Sequence, residues 1–320
     1  MNAEPQKRRS RSFLQRIEDP GNEIEDHKIR QKMKPVAGDE PLSRENAVGI
    51  IGGFGGMGRL FSSVFGRAGY KVICSGRKTP ISNADIASTC GLIIISVPIR
   101  DTVRVIEEIA PLLSEKQVLC DLTSIKTAPV DAMLRSKAQV IGLHPMFGPS
   151  VSGIAGQTIA ASPARCDEKT QDALYRIFTN EGAKVCPMDP KEHDKIMSIV
   201  QGLVHFTTLS VAETIKNTGI PLEAILPVMS PVYRIELDLV GRILGQDPAL
   251  YADILQMNPE TAGILETLSD SVASLKEIVD SGDPERFSAF FGKNSEVFSS
   301  YIPQAAEETD KLIETLVKMK

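Results

Sequence analysis

The chain has 320 residues, 42% of them apolar and 24% charged, and a net charge of −5. This is ordinary globular composition with length for about two domains. It provides no overall positive field for nucleic acid or an acidic membrane, so an anionic ligand needs local cations. No apolar run reads as a membrane span, and the first apolar cluster, Phe13-Leu14, is too small for a secretory leader.

Residues 1–46 are rich in Lys, Arg, Asp and Glu and poor in large apolar residues, which predicts a poorly ordered charged tail. Its basic cluster, Lys7-Arg8-Arg9-Ser10-Arg11, reads as a solvated terminus, with an interaction tail as the alternative. The tail carries too many acids for a transit peptide.

From Ala47 the pattern alternates. Strands are expected at 47–52, 70–75, 92–97, 117–121, 138–143, 157–161 and 183–187, with helices at 56–68, 100–113, 126–136 and 167–181. This predicts an α/β domain over 47–189, with a mostly parallel sheet covered on both faces. At its start stands GIIGGFGGMGRLF, in which Gly53, Gly55 and Gly58 form G-x-G-x-x-G between a strand and a helix. That context points to a dinucleotide. Gly53 is expected to permit the tight turn, Gly55 to let backbone approach a pyrophosphate, and Gly58 to pack helix against strand. The helix N-terminus then faces the phosphates. Cofactor contacts are expected from Gly53, Phe54, Gly55, Gly56, Met57 and Gly58, with Ser75 after the second strand and Val97-Pro98 after the third.

The five cysteines are an odd number without a C-x-x-C pair. Cys74, Cys120 and Cys186 fall in strand-like runs, which predicts buried free thiols, a cytoplasmic setting and no metal site.

The character changes at Asp189. Asp189-Pro190-Lys191-Glu192 sets an N-cap, Pro at the first helical position and Glu at the third. Similar starts are read at Ser230-Pro231, Asp247-Pro248, Asn258-Pro259 and Asp283-Pro284. Residues 190–320 therefore read as an all-helical domain. Its first helix, about 190–217, is long and apolar, as expected of a domain core or a subunit interface.

Ligands of such sheets bind beyond the carboxyl ends of the strands. Ser96-Val97-Pro98, Asp121–Ser124 and His144–Pro149 fall there. His144 is a candidate general base, with a packing or capping role as the alternative. His27 lies in the tail. His193 and His205 are twelve residues apart, roughly 120° around a regular helix, and so make a poor metal pair. Arg234 and Arg242 could each clamp a carboxylate, or pair with Glu236 and Asp238.

These residues carry a resemblance to the prephenate dehydrogenases of tyrosine biosynthesis. It rests on GGFGGMGRLF (52–61), SVPI (96–99), DLTSIK (121–126), GLHPMFGP (142–149), EHD (192–194), HF (205–206) and SPVYRIELDLVGRILGQDPALYADI (230–254). The resemblance implies a Rossmann-type domain followed by a helical dimerisation domain, and hence a homodimer. It implies oxidative decarboxylation of prephenate, with hydride transfer to NAD(P). It makes His144 the base for the C4 hydroxyl and Ser124 its neighbour. It puts Arg242 on a substrate carboxylate with Arg234 in support, His205 near the pyruvyl side chain and His193 near the cleft. Gln201, one turn before His205, is a neutral partner for that side chain.

The chain departs from the family pattern in three ways. The first 46 residues are too few for a fused chorismate mutase, and 302–320 reads as a final helix with no regulatory domain after it. The acid usual past the glycine loop of NAD enzymes is missing. Residues 74–79 read CSGRKT instead, so Arg77 and Lys78 favour a 2′-phosphate and NADP over NAD. Rival readings are an arogenate dehydrogenase, a β-hydroxyacid dehydrogenase (disfavoured by Ile199 where an Asn is expected after Lys195) and a non-catalytic NADP-binding sensor.

Overall fold

The structure, a computed structural model, describes Leu42 and residues 47–319. The charged tail read at 1–46, with its basic cluster and His27, otherwise lies outside the described residues. The described chain divides into two compact units. The first takes the chain up to Ser96, then Ile106–Leu122 and Ala132–Asp189. The second takes Val97–Val105, Thr123–Asp131 and the chain from Pro190 onward. Two short segments on the sheet side of residue 189 thus pack with the helices.

The first unit is a seven-stranded sheet. Its strands are β1 (Ala47–Ile51), β2 (Val72–Ser75), β3 (Cys90–Ile95), β4 (Val118–Asp121), β5 (Gln139–Pro145), β6 (Thr158–Arg165) and β7 (Lys184–Pro187). The order is β2-β1-β3-β4-β5-β6-β7. Pairings are parallel except β5 with β6, which is antiparallel and needs no crossover helix. The order reverses direction beside β1, so the crevice between β1 and β3 is the topological switch point. β1 is buried along its whole length, and β3 at every position but Gly91, which explains their unbroken apolar runs. Phe61 and Phe65 of α1 (Gly56–Arg67) pack edge-on to Phe178 of the helix Glu168–Asn180, at 5.9 and 6.0 Å between centroids. A short helix, Asn83–Thr89, was not foreseen. Its start is a capping box between Ser82 and Asp85.

The glycine turn differs from expectation in one detail. Gly52, not Gly53, takes the left-handed conformation, with φ of 84°. Gly53 is required by space: a Cβ there would lie 2.4 Å from Cys74 Sγ on β2. At Gly58 a Cβ would lie 2.4 Å from the Gly52 carbonyl oxygen, so helix and turn touch through backbone.

The second unit is helical. Pro190–Met197 runs through a π turn, Ser198–Leu203, into Val204–Thr218. The longer helices beyond it are Pro231–Leu244, Pro248–Met257, Thr261–Ser281, Pro284–Val297 and Ile302–Lys318. The start read at Asn258-Pro259 is corrected, because the helix begins at Thr261. Asn258 is buried instead: its Oδ1 accepts from Glu260 N and its Nδ2 donates to the Asp194 carbonyl at 2.8 Å. The sequence reading that no run approaches a membrane span is also corrected. Pro190–Thr218 is long and apolar enough for one by length and composition, and 17% of its most apolar window is buried within the chain.

The close approach at Gly58 gives a test. Gly58→Ala should destabilise the chain by about 1–3 kcal/mol, because backbone must move to admit the methyl. Gly66→Ala, on the same helix with open space around it, should be neutral or slightly stabilising. Urea unfolding of the two variants checks the difference.

Candidate active site

In the first unit the site residues gather at the carboxyl edge of the sheet. α1 begins after Gly55, with no side-chain cap and no acid in its first turn. A Cβ at Gly55 would meet nothing nearer than the Gly52 carbonyl oxygen at 3.4 Å. An uncapped helix N-terminus with no side chain at Gly55 fits a pyrophosphate. Beside it, Phe54, Gly76, Arg77, Lys78 and Thr79 line one cleft. Thr79 holds the turn, its hydroxyl oxygen accepting from Gly76 N at 2.9 Å. Arg77 and Lys78 are exposed and, among the described residues, have no ion-pair partner. Ser75 is buried and its hydroxyl donates to Asn83 Oδ1 at 2.9 Å, so its side chain is turned inward.

His144 is the last residue but one of β5, 2% exposed, opposite Ala160 of β6. The loop after it returns to the glycine turn, where a Cβ on Gly56 would lie 2.8 Å from Pro149 Cβ and Cγ. Strand end and phosphate loop are therefore neighbours.

The second unit holds the other site residues. Ser124 is half-buried in the loop that leads to the helix Thr127–Met133. That loop is built on buried Asp194, whose Oδ1 accepts from Lys126 N at 2.7 Å and Oδ2 from Thr127 N at 2.9 Å. His193, fully buried, places Nδ1 2.9 Å from Asp194 Oδ1. Burial alone would raise the pKa of the Asp194 carboxyl, but the hydrogen bonds from His193, Thr127 and Lys126 hold it below the usual aspartate range. Thr123 closes the loop from within, its hydroxyl donating to the Ile125 carbonyl at 2.8 Å.

His205 is half-buried, and its ring meets Tyr251 edge-on at 5.0 Å. Its Nδ1 is buried with no hydrogen-bond partner. Burial pushes the imidazole pKa down, so it is neutral at pH 7. Gln201 lies in the π turn that leads to it. Arg242 is exposed in the last turn of Pro231–Leu244. Burial raises the pKa of the Tyr251 hydroxyl, and the Arg242 charge opposes that rise. The Arg242 charge thus reaches Tyr251, whose ring meets His205. Arg234 is exposed, with a loose ion pair at 3.6 Å to Asp238 one turn on. Asp194 and Tyr251 were given no role by sequence reasoning. The acid of the EHD triplet was a readable signal for the first; nothing in the pattern announced the second. Among the described residues no cluster of metal-ligating side chains is present.

Similarity to known proteins divides the chain in sequence order, just before residue 189. The family model for the prephenate dehydrogenase nucleotide-binding domain matches residues 76–185, and that for the prephenate dehydrogenase dimerization domain matches 189–293. A Methanocaldococcus jannaschii protein named as a probable arogenate/prephenate dehydrogenase is 34% identical over 285 residues, 83% of this chain. The chain spans 64% of the length of that relative. The T-protein of Haemophilus influenzae is 33% identical over 85% of this chain and 72% of its own length. Among solved structures, prephenate dehydrogenase from A. aeolicus in complex with hydroxyphenyl propionate and NAD+ shares the fold. Its TM-score is 0.66 at 21% identity, covering 84% of this chain and 100% of that one.

The Asp194 geometry predicts a pH signature. Its carboxyl is depressed in the fold, so its contribution is complete above the unfolded value, about 4. That contribution is lost as pH falls through the folded value. Asp194→Asn should cost about 1.5–3 kcal/mol at pH 7, and the gap to wild type should shrink on acidification. Urea midpoints between pH 7 and pH 3 measure it.

Proposed function

The chain belongs to the prephenate dehydrogenase family of NAD(P)-dependent oxidoreductases, and on that premise we propose that it oxidatively decarboxylates prephenate to 4-hydroxyphenylpyruvate. The observation that carries the choice of substrate is the surroundings of His205. A neutral imidazole with an unpartnered Nδ1, a nearby amide at Gln201 and the cation Arg242 suit a pyruvyl ketone and carboxylates. The alternative substrate, arogenate, carries an ammonium that wants a carboxylate. Asp194, one of the nearest acids along the helix, already accepts from Lys126, Thr127 and His193.

The site residues divide the work. His144 takes the proton of the C4 hydroxyl, and Ser124 holds that hydroxyl in place. Arg242 clamps a substrate carboxylate through its fork, with Arg234 adding positive charge. His193 acts through Asp194, which sets the Ser124 loop. The glycine turn and the α1 N-terminus would hold the pyrophosphate of the cofactor, whose nicotinamide accepts the hydride when bound. Arg77 and Lys78, exposed beside Phe54, would hold a 2′-phosphate, so NADP is preferred. Loss of carbon dioxide leaves an aromatic ring, which favours the forward direction.

The protein acts as a homodimer in the cytoplasm. Val204–Thr218, Pro284–Val297 and Ile302–Lys318 bury no residue within the chain and expose Val211, Phe291 and Val297 among others. This supports a second copy as their cover. The five cysteines are all free thiols, which supports a reducing compartment.

A spectrophotometric assay with prephenate and arogenate, each against NAD and NADP, tests the reading. Prephenate should exceed arogenate by at least about tenfold in kcat/KM, with NADP above NAD. Equal rates on both substrates would overturn the His205 argument. No turnover on either would leave a cofactor-binding sensor.

Two variants refine it. His144→Asn should lose roughly 10²–10⁴ in kcat and with it the acid limb of the pH profile. Arg77→Ala should weaken NADP by about 1–3 kcal/mol and hardly change NAD. A wild type with better kcat/KM for NAD would reject the 2′-phosphate reading.

A further inference from the structure

We infer that Arg100 is a positioning residue for the reaction: with Asp253 and a small apolar joint, it holds three site-bearing segments in one register. What those segments do rests on the dehydrogenase reading above. Asp253 lies on Pro248–Met257 and is 7% exposed. Its Oδ1 accepts from Arg100 Nη2 at 2.7 Å and its Oδ2 from Arg100 Nε at 3.0 Å. Arg100 N approaches Oδ2 at 3.4 Å in the first turn of Ile99–Ile109, where a helix N-terminus favours an anion. Nη2 also donates to the Ala249 carbonyl at 3.3 Å, one turn earlier on the same helix as Asp253. The guanidinium therefore fixes angle as well as distance, which a Lys could not do.

The residues next to the two ions complete the joint. Ile99 immediately precedes Arg100, Ile254 immediately succeeds Asp253, and both pack against Ile125, each of the three under 10% exposed. Chain adjacency gives this cluster its meaning. Val97-Pro98 lead into Ile99. Ser124 precedes Ile125. Tyr251, whose ring meets His205, stands three residues before Ile254. The joint thus ties the segment leaving β3, the Ser124 loop and the Tyr251 helix to one another. All of them belong to the helical unit. The pair is open to water at Arg100, whose side chain is 53% exposed, but Asp253 is buried, so loss of the guanidinium leaves a buried carboxylate unmatched. The pair's leverage is in geometry.

Hydrogen–deuterium exchange and steady-state kinetics on the full chain test the inference, using Arg100→Ala, Arg100→Lys and Asp253→Asn. Uptake should rise not only in 97–105 and 248–257 but also in 122–131, which holds no partner of Arg100. The melting temperature should fall by more in Arg100→Ala than in Asp253→Asn, because only the first leaves a buried carboxylate unmatched. The kcat should fall about tenfold while substrate KM changes less, since misplacement is felt most in the transition state. Arg100→Lys should recover only part of the loss, because it restores charge without the fork. Uptake confined to 97–105 and 248–257, or an unchanged kcat, would overturn the inference. If the wild type turns over neither prephenate nor arogenate, the dehydrogenase reading fails, and uptake at 122–131 still decides whether the joint transmits.

Discussion

A carboxylate removed from water must be matched where it lies, and the helical unit is assembled around two that are. Asp194 is matched by the N–H groups of Lys126 and Thr127 and by His193. Asp253 is matched by the fork of Arg100. The two aspartates hold the two segments that leave the sheet, Thr123–Asp131 and Val97–Val105. That explains a division of the chain which cuts across its order. Strands β3 and β4 are built in the first unit, yet the residues just after them are anchored in the second. The anchored residues stand beside Val97-Pro98 and Ser124, so the constraint that organises packing also sets the positions of these candidate site residues.

Charge is distributed by the same logic. The chain is net negative, and its cations are placed locally. Arg77 and Lys78 stand on an exposed turn where, among the described residues, no acid pairs with them. Arg242 is exposed, and its charge reaches the half-buried phenol of Tyr251. Elsewhere exposed arginines are already engaged, as Arg67 is with Glu181 at 2.5 Å and Arg135 with Glu107 at 2.6 Å.

Much of this was legible from the residues. The alternation of apolar runs and capped helices located all seven strands, because β-branched residues buried on both faces leave unbroken runs such as Leu92–Ile95. Proline behind an Asp or Ser marked most helix starts in the second unit. Asn258-Pro259 misled because a side chain that can cap a helix can also bond elsewhere, and Asn258 reaches Asp194. The short helix at Asn83 was hidden by its length, although its Ser-x-x-Asp signal was present. Gly52 and Gly53 could not be told apart, since one answers a torsion and the other the approach of Cys74. The Asp194, Tyr251 and Arg100 contacts span 68, 46 and 153 residues of sequence. No periodicity encodes them, because they exist only once separate elements have docked. The resemblance supplied roles for His144 and Arg242, but not the residues that hold those roles in place.

The π turn has a consequence for the two histidines of the long helix. Counting at 3.6 residues per turn separates His193 from His205 by roughly 120°. A π turn accommodates one additional residue without rotating the helix beyond it, so the effective spacing is eleven and the offset falls to about 20°. The two imidazoles then lie along one line of the helix. One is wholly inside and held to Asp194; the other is half inside, with its free Nδ1 beside Tyr251. Ser198–Leu203 is thus a phase correction. It lets a helix with two separate burial requirements meet both with the same face.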